Sequence, residues 1–231
     1  GANAVASGAN SIASGTSSFA AGGGTASGFG SLAIGGISGG GKAVASSDTA
    51  IALGYQAQAS NYQAVAIGRL TVSSGDSSLA LGRNARALGS YSTSIGQAYS
   101  SGTDSFAAAI ATNSSSYGAL GANTIAMGNR AKASDSVSIA IGQDVISSNS
   151  SIAIGLDNTT SGTYSIGIGA NADATAPYAT ALGRNAQATH QGSTAIGYGA
   201  ATSTTNQVAL GASGHAVRVS GAYTLPTADG S

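Results

Sequence analysis

The chain has 231 residues, no cysteine and only 7% charged residues, and its eight basic residues balance its eight acidic ones. This balance supplies neither the basic surface of a nucleic-acid-binding protein nor an acidic surface that attracts cations. Hydrophobic residues make up 42% of the chain, but many are alanine and aromatic residues make up only 5%, which excludes one large core of bulky side chains. No segment approaches the roughly 20 apolar residues of a membrane helix. We therefore expect a thin, repeated core whose stability comes from packing and chain association.

A five-residue phrase of the form small, hydrophobic, Ala, hydrophobic, Gly recurs fifteen times between the start of the chain and Gly211. Nine of the fourteen intervals between phrase ends are 14 residues, and three are 13. The two remaining intervals, Gly35 to Gly54 and Ala109 to Gly128, are 19 residues, so we expect protruding loops at 36–47 and 111–121. A 14-residue period suits two short strands and two tight turns. Each period is therefore predicted to form one coil of a β-solenoid.

The phrase alternates in side-chain size, as in Val65-Ala66-Ile67, which is typical of a strand with two different faces. We expect the larger hydrophobic residues to point into the coil. The alanine between them would then point outward, and its small size favours the close approach of another backbone. We therefore predict contacts between chains at a rank of alanines that includes Ala52, Ala66, Ala80, Ala126, Ala140, Ala153 and Ala195.

A second, weaker strand follows each phrase, with small residues three and five positions after the glycine. In Ala57-Gln58-Ala59 the alanines would face the interior and the glutamine would face solvent. Two such short strands bury too little apolar area to offset about 1 to 2 kcal/mol of backbone ordering per residue. Lateral association of several stacks would supply the missing burial. About fifteen coils spaced by about 4.8 Å predict a rod roughly 70 Å long.

The phrases Ser-Leu-Ala-Ile-Gly at 31–35 and Ser-Ile-Ala-Ile-Gly at 138–142 and 151–155 resemble the head repeats of YadA-like trimeric autotransporter adhesins. The resemblance covers residues 1–211 and implies an all-β fold, a left-handed parallel β-roll of about 15 coils assembled as a homotrimer. It also implies a non-enzymatic extracellular fibre head on a bacterial surface. The chain opens directly into repeat sequence, and we expect it to be cut from a longer protein anchored in the outer membrane through other regions.

Residues 212–231 depart from the head pattern and are predicted to form a neck-like exit segment or a junction to a further domain. The run from Ala222 through Pro226 to Ser231 shows no typical neck or heptad stalk. It resembles junctions in phage tail fibres and related bacterial surface fibres. The alternative to an adhesin head is therefore a structural spacer or receptor-binding segment of a phage-tail-like fibre, located on a virion.

Catalytic chemistry has little support in the sequence, and we predict no catalytic residue, cofactor or metal. Residues 36–42 overlap a nucleophile-elbow spacing and an incomplete phosphate-binding loop, but no helical period follows them. His190 and His215 stand in no spacing suited to a metal site or a triad, so both are predicted to lie at the surface. Four aspartates are expected to bond turn amides rather than calcium, namely Asp48, Asp76, Asp104 and Asp135.

The chain contains nine tyrosines, most of them in predicted turns and outer positions, where tyrosine is a usual recognition side chain. The alternative is that they only shield the turns. The candidate ligand-contact residues are Tyr55, Tyr62, Tyr91, Tyr99, Tyr117 and Lys42.

The expected partners are two further copies of the chain and an unidentified protein or glycan on a host or target cell or its matrix, with no nucleic acid and no direct membrane insertion by this segment. An ice-binding solenoid would need a regular rank of threonine, whereas the outer positions here vary.

Overall fold

The computed structural model describes residues 1–36, 40–109 and 115–218, and within these ranges the chain forms strands and turns and no helix. The fifteen phrases form the fifteen strands of one parallel sheet, so the predicted β-solenoid is confirmed. We call this the first sheet. Its strands are β1 (Val5–Ser7), β3 (Phe19–Ala21), β5 (Leu32–Ile34), β7 (Ile51–Leu53), β9 (Val65–Ile67), β11 (Leu79–Leu81), β13 (Thr93–Gly96), β15 (Phe106–Ala109), β17 (Ile125–Met127), β19 (Ile139–Gln143), β21 (Ile152–Leu156), β23 (Ile166–Ile168), β25 (Thr180–Leu182), β27 (Thr194–Ile196) and β28 (Val208–Leu210).

The second sheet has thirteen parallel strands, each of two residues, which alternate along the chain with those of the first sheet. The two sheets are joined by short turns, as the 14-residue period requires. The strands are β2 (Ile12–Ala13), β4 (Thr25–Ala26), β6 (Val44–Ala45), β8 (Gln58–Ala59), β10 (Val72–Ser73), β12 (Arg86–Ala87), β14 (Tyr99–Ser100), β16 (Gly118–Ala119), β18 (Lys132–Ala133), β20 (Ile146–Ser147), β22 (Thr159–Thr160), β24 (Asp173–Ala174) and β26 (Gln187–Ala188).

Each coil pairs in register with the next, so equivalent positions of successive phrases form straight ranks along the stack. Ala66 pairs with Ala80, and Val65 pairs with Leu79. The two longer insertions do not disturb this register, because Leu32 still pairs with Ile51 and Phe106 with Ile125. The extra residues are therefore absorbed in the turn between the two sheets. Of the inserted segments, 37–39 and 110–114 lie outside the described residues.

The alanine of the phrase points into the coil, so the predicted orientation of the first strand is wrong. Ala66 and Ala140 are completely buried within a single chain, whereas the flanking Ile141 is only partly buried. The reason is the width of the coil, since short turns hold the two sheets so close that only small side chains fit between them. The alanines predicted to meet another chain are all 0% exposed and belong to the core: Ala52, Ala66, Ala80, Ala126, Ala140, Ala153 and Ala195.

The second sheet faces the way the sequence predicted. Ala57 and Ala59 are buried opposite the alanines of the first sheet, and Gln58 between them is exposed. The interior is therefore a column of alanine with serine and threonine at intervals, and its largest fully buried side chains are Val145 and Asn158. A core of this kind buries little apolar area per coil, which leaves the stack dependent on backbone hydrogen bonds and on association through other surfaces.

Two opposite edges of the roll are formed by the turns. The glycine edge contains the turns that follow first-sheet strands, and in its described part these are residues 8–11, 22–24, 35–36, 40–43, 54–57, 68–71, 82–85, 97–98, 115–117, 128–131, 144–145, 157–158, 169–172, 183–186 and 197–200. The serine edge contains the turns that precede them, residues 1–4, 14–18, 27–31, 46–50, 60–64, 74–78, 88–92, 101–105, 120–124, 134–138, 148–151, 161–165, 175–179, 189–193 and 203–207.

Buried hydroxyl groups close the turns of the serine edge. The Ser18 hydroxyl donates to the carbonyl of Gly15 at 2.7 Å, and the Ser105 hydroxyl donates to the carbonyl of Gly102 at 2.6 Å. The same three-residue contact recurs in other coils, for example from Ser165 to Gly162 at 2.6 Å. Serine suits the position because it is small enough for the interior and because its hydroxyl, once buried, finds an acceptor in the turn carbonyl.

Candidate interaction surfaces

The outer face of the first sheet is an apolar stripe formed by the larger residues of the phrases. Two ranks of these side chains run along all fifteen strands, and because the strands are about 4.8 Å apart the stripe is roughly 70 Å long. Single exposed apolar residues are normal, but a contiguous stripe is typical of an interaction surface. Its most exposed members are Val5, Phe19, Ile34, Leu81, Ile95, Met127, Ile166, Ile168, Leu182, Ile196, Val208 and Leu210.

A depression of about 400 Å³ interrupts this stripe near its middle. It lies where Ala108 occupies a position at which the neighbouring coils carry Ile95 and Met127. The lining is completed by Ile141 and by the glycines that close three coils. The depression is therefore part of the apolar face, produced by a small residue between two coils that carry large ones at the same position.

Arginine and tyrosine alternate between neighbouring coils on the glycine edge. The Arg69 guanidinium lies 5.7 Å from the centre of the Tyr55 ring, and Arg184 lies at the same distance from Tyr198. Such contacts stabilise an exposed pair modestly and hold the guanidinium in a defined position. A Cβ at Gly41 would overlap the Tyr55 ring, so the ring packs directly against the backbone of the first inserted segment.

Arg130 and Asp144 form a salt bridge between adjacent coils of the same edge, the single one among the described residues. The hydrogen bond from the guanidinium lowers the pKa of the Asp144 carboxyl below its ordinary value, and the same contact raises the pKa of Arg130. Both side chains are accessible to water, which screens their attraction. The pair therefore orders this edge without contributing much to stability.

Three tyrosines occupy equivalent turn positions on the serine edge: Tyr91, Tyr164 and Tyr178. Their φ values are 56°, 55° and 59°, a left-handed conformation that asparagine and glycine adopt more readily than a bulky residue. Tyr164 and Tyr178 stack with their ring centres 5.9 Å apart, and both are exposed. The sequence interpretation did not single out this pair, although the 14-residue spacing between the two tyrosines is the signal that could have found it.

The predicted ligand-contact residues are distributed over three surfaces. Tyr55 and Lys42 lie on the glycine edge near Gly41, and Tyr117 lies on the same edge beside the second insertion. The serine edge carries Tyr62 and Tyr91, both exposed. Tyr99 lies on the outer face of the second sheet, where Arg86 approaches its ring at 5.7 Å. The structure therefore brings Tyr55 and Lys42 close together and leaves the other candidates apart.

The turn aspartates only partly follow their predicted role. Asp48 accepts a hydrogen bond from the Phe29 amide at 2.9 Å, and Asp135 accepts one from the Asn149 amide at 3.1 Å, which confirms the prediction for these two. Both bonds join neighbouring coils. For Asp76 the prediction is wrong, because its buried Oδ1 has no partner within the chain.

The two histidines and the remaining acidic residues do not come together in the described part of the chain. His190 is half-buried beside the Thr189 and Thr202 hydroxyls, and His215 is exposed, with its Nδ1 accepting from the Ala212 amide at 3.2 Å. No group of three possible metal ligands occurs among the described residues. The central residues of the elbow-like motif, 37–39, lie outside them, as does the exit segment from 219 onward.

The described part of the chain is a parallel β-solenoid with an alanine core and one long apolar face. A profile of the YadA head domain repeat matches residues 45–71, 73–98, 119–144, 147–172, 174–200 and 191–213. The chain therefore belongs to the YadA head family, which is a family of structural fibre domains and not of enzymes. No curated protein matches the sequence. Among the described residues, no helix is long and apolar enough to cross a membrane.

Proposed function

We propose that this chain is one of three subunits of an extracellular, non-enzymatic fibre head that mediates adhesion to host or target-cell surfaces or to their matrix. The apolar stripe on the first sheet is the observation that carries the proposal. It contains no charged residue on fifteen consecutive strands, whereas the outer face of the second sheet carries Arg86, Lys132 and Asp173. A rod with one apolar face and one polar face is suited to lateral association through the apolar one.

Membership in the YadA head family supports the association of three copies. The apolar stripe supports an arrangement in which the first sheets turn inward around a common axis. This arrangement buries the ranks that include Ile141 and Leu81 and leaves the second sheet in water. It also supplies the burial that the alanine core lacks. The depression at Ala108 then lies inside the assembly, where side chains of neighbouring copies are available to fill it.

Adhesion is the function that this assembly supports best, and the bacterial cell surface is its proposed location. A rigid rod presents the same second-sheet face three times, so that weak contacts with a protein or glycan act together. Tyr99, beside Arg86 on the outer face of the second sheet, is the proposed contact residue, because the edges that carry Tyr55, Tyr62, Tyr91 and Lys42 lie next to neighbouring copies in the proposed assembly. Residues 212–231 are proposed to lead out of the head towards a neck or a further domain.

The oligomeric state tests the assembly. Light scattering of the purified chain should give the mass of three copies. Ile141→Asp, which places a carboxylate in the apolar stripe, should yield monomers. Gln187→Asp places the same carboxylate on the outer face of the second sheet and should leave the trimer intact. A monomeric parent chain, or equal behaviour of the two variants, would contradict the proposed assembly.

Binding tests the adhesive function separately from assembly. The trimer should bind cells, matrix proteins or a glycan array, and Tyr99→Ala, on the outer face of the second sheet, should weaken that binding without changing the mass. A trimer that binds none of these targets would favour the second candidate, a spacer segment of a cell-surface or phage-tail-like fibre. The segment 222–231, which resembles fibre junctions, supports this second candidate.

A further inference from the structure

Opposite charges lie half a coil apart on the two edges of the roll. Arg69 is on the glycine edge, and Asp76, seven residues later, is on the serine edge. Arg83, seven residues after Asp76, returns to the glycine edge in the next coil. Because one coil advances about 4.8 Å, each arginine lies within about 2.4 Å of the aspartate in height along the axis.

These residues do not meet within one chain. The strand β10 (Val72–Ser73) crosses the roll between the two edges, and among the described residues neither arginine forms an ion pair with Asp76. Arg69 and Arg83 are exposed, whereas Asp76 is half-buried with one carboxylate oxygen that has neither solvent nor a hydrogen-bond partner. A charged group in that state normally has a counter-charge nearby. The single chain does not provide one on the serine edge.

The serine edge is acidic between residues 46 and 138. Its turns contain four aspartates, Asp48, Asp76, Asp104 and Asp135, and neither lysine nor arginine. The cations Lys42, Arg69, Arg83, Arg130 and Arg184 lie on the glycine edge, together with Asp144 and Asp157. The net charge is therefore zero, although negative and positive residues are concentrated on opposite edges.

A cation on the glycine edge is followed by an aspartate on the serine edge, about half a coil later, at two other levels of the rod. Lys42 precedes Asp48 by six residues in the third coil, and Arg130 precedes Asp135 by five. All four side chains are exposed. Arg130 already contacts Asp144 of its own chain, so its position on the edge is fixed. Three of the four serine-edge aspartates thus have a glycine-edge cation at their own height.

We propose that the glycine edge of each subunit packs against the serine edge of the next, with Arg69 and Arg83 pairing with Asp76 of the neighbouring copy. This inference rests on the proposed trimer. When parallel rolls turn the same face towards a common axis, unlike edges of neighbouring copies must meet, because a cyclic contact is heterologous. The charge pattern matches this contact and opposes one between like edges, which would bring aspartate against aspartate.

Pairing of this kind fixes the height of one copy relative to the next. A slide by two coils in one direction would move Asp76 away from both arginines and to the level of Gln97, which carries no charge. The opposite slide would bring it to the level of Tyr55 and the first insertion, where Lys42 replaces the two arginines. Because the apolar stripe repeats with every coil, two stripes would pack almost equally well after such a slide. The edges therefore select the register in which all three copies are level.

Thiol cross-linking tests the contact. Because the chain has no cysteine, only the introduced thiols can react. The variant Arg69→Cys with Asp76→Cys, treated with a short bis-maleimide, should run as a covalent trimer on a denaturing gel. The control Arg69→Cys with Arg83→Cys has both thiols on the glycine edge and should give no covalent trimer. Light scattering before treatment establishes whether each variant is a trimer.

The outcomes separate this inference from the proposed trimer. A trimeric mass with covalent trimer only in the opposite-edge variant supports the contact. A trimeric mass without that product, or with the same product in the control, overturns the edge pairing and leaves the trimer standing. A monomeric mass overturns both.

Charge reversal provides an independent readout. Asp76→Arg should lower the temperature at which the trimer dissociates, because it places three arginines together. Adding Arg69→Asp and Arg83→Asp should restore that temperature at low salt. If the dissociation temperature of the triple variant stays low while circular dichroism shows that the variant is folded, the pairing is contradicted.

Discussion

Gly142 and Gly155 are paired in the first sheet, and a Cβ on Gly142 would overlap the carbonyl oxygen of Gly155. Gly142 also has a φ of 132°, which L side chains rarely adopt. The closing glycine of the phrase thus satisfies two separate requirements, a backbone conformation and the close approach of the next coil.

Gly142→Ala should therefore destabilise the protein by about 3 kcal/mol or more. Gly40→Ala is the matched control, because Gly40 has a φ of 116° but no atom within 4 Å of the added Cβ. Its cost should be limited to the conformational part, about 1 to 2 kcal/mol. Urea unfolding at a fixed protein concentration measures both, and equal costs would contradict the role of close approach.

Ala140→Leu should prevent the central coils from closing, because the side chain points into an interior lined with alanine and serine. We expect a loss of at least about 3 kcal/mol, at or above the upper end of the usual cost of overpacking. Ile141→Leu, at the next residue, faces outward and should cost less than about 1.5 kcal/mol. Circular dichroism during thermal unfolding distinguishes the two, and tolerance of leucine at position 140 would contradict the inward orientation.

Ser105→Ala removes the hydroxyl that donates to the Gly102 carbonyl and should cost about 1 kcal/mol. Ser92 holds the equivalent position one coil earlier, but its buried hydroxyl has no partner. Ser92→Ala should therefore be neutral or slightly stabilising, since it removes an unpaired polar group. A comparison of the two denaturation midpoints tests this, and an equal loss would mean that the hydrogen bond does not set the difference.

Val137→Asn should stabilise the protein by about 1 kcal/mol, because this exposed residue has a φ of 62° and a β-branched side chain is strained there. The reverse change in the previous coil, Asn123→Val at a φ of 55°, should destabilise it by a similar amount. Thermal unfolding of both variants measures the difference. An unchanged Val137→Asn variant would show that the turn relaxes without strain.

The sequence by itself determined the number of coils, the parallel stacking and the position of both insertions. Each follows from the spacing of the phrases, since a repeat as short as 14 residues admits only two short strands and two turns. It also determined the inward direction of Ala57 and Ala59, because Gln58 between them is polar and is therefore favoured at the solvent face.

Only the tertiary structure decided which side of the first strand faces inward. Alternation in Val65-Ala66-Ile67 separates two faces but does not say which is buried, because both sets are apolar. The width of the coil decides it, since two sheets held together by tight turns leave room for Ala66 and none for Val65 and Ile67. The small residues therefore form the core, and the large ones form the surface through which we propose that the chains associate.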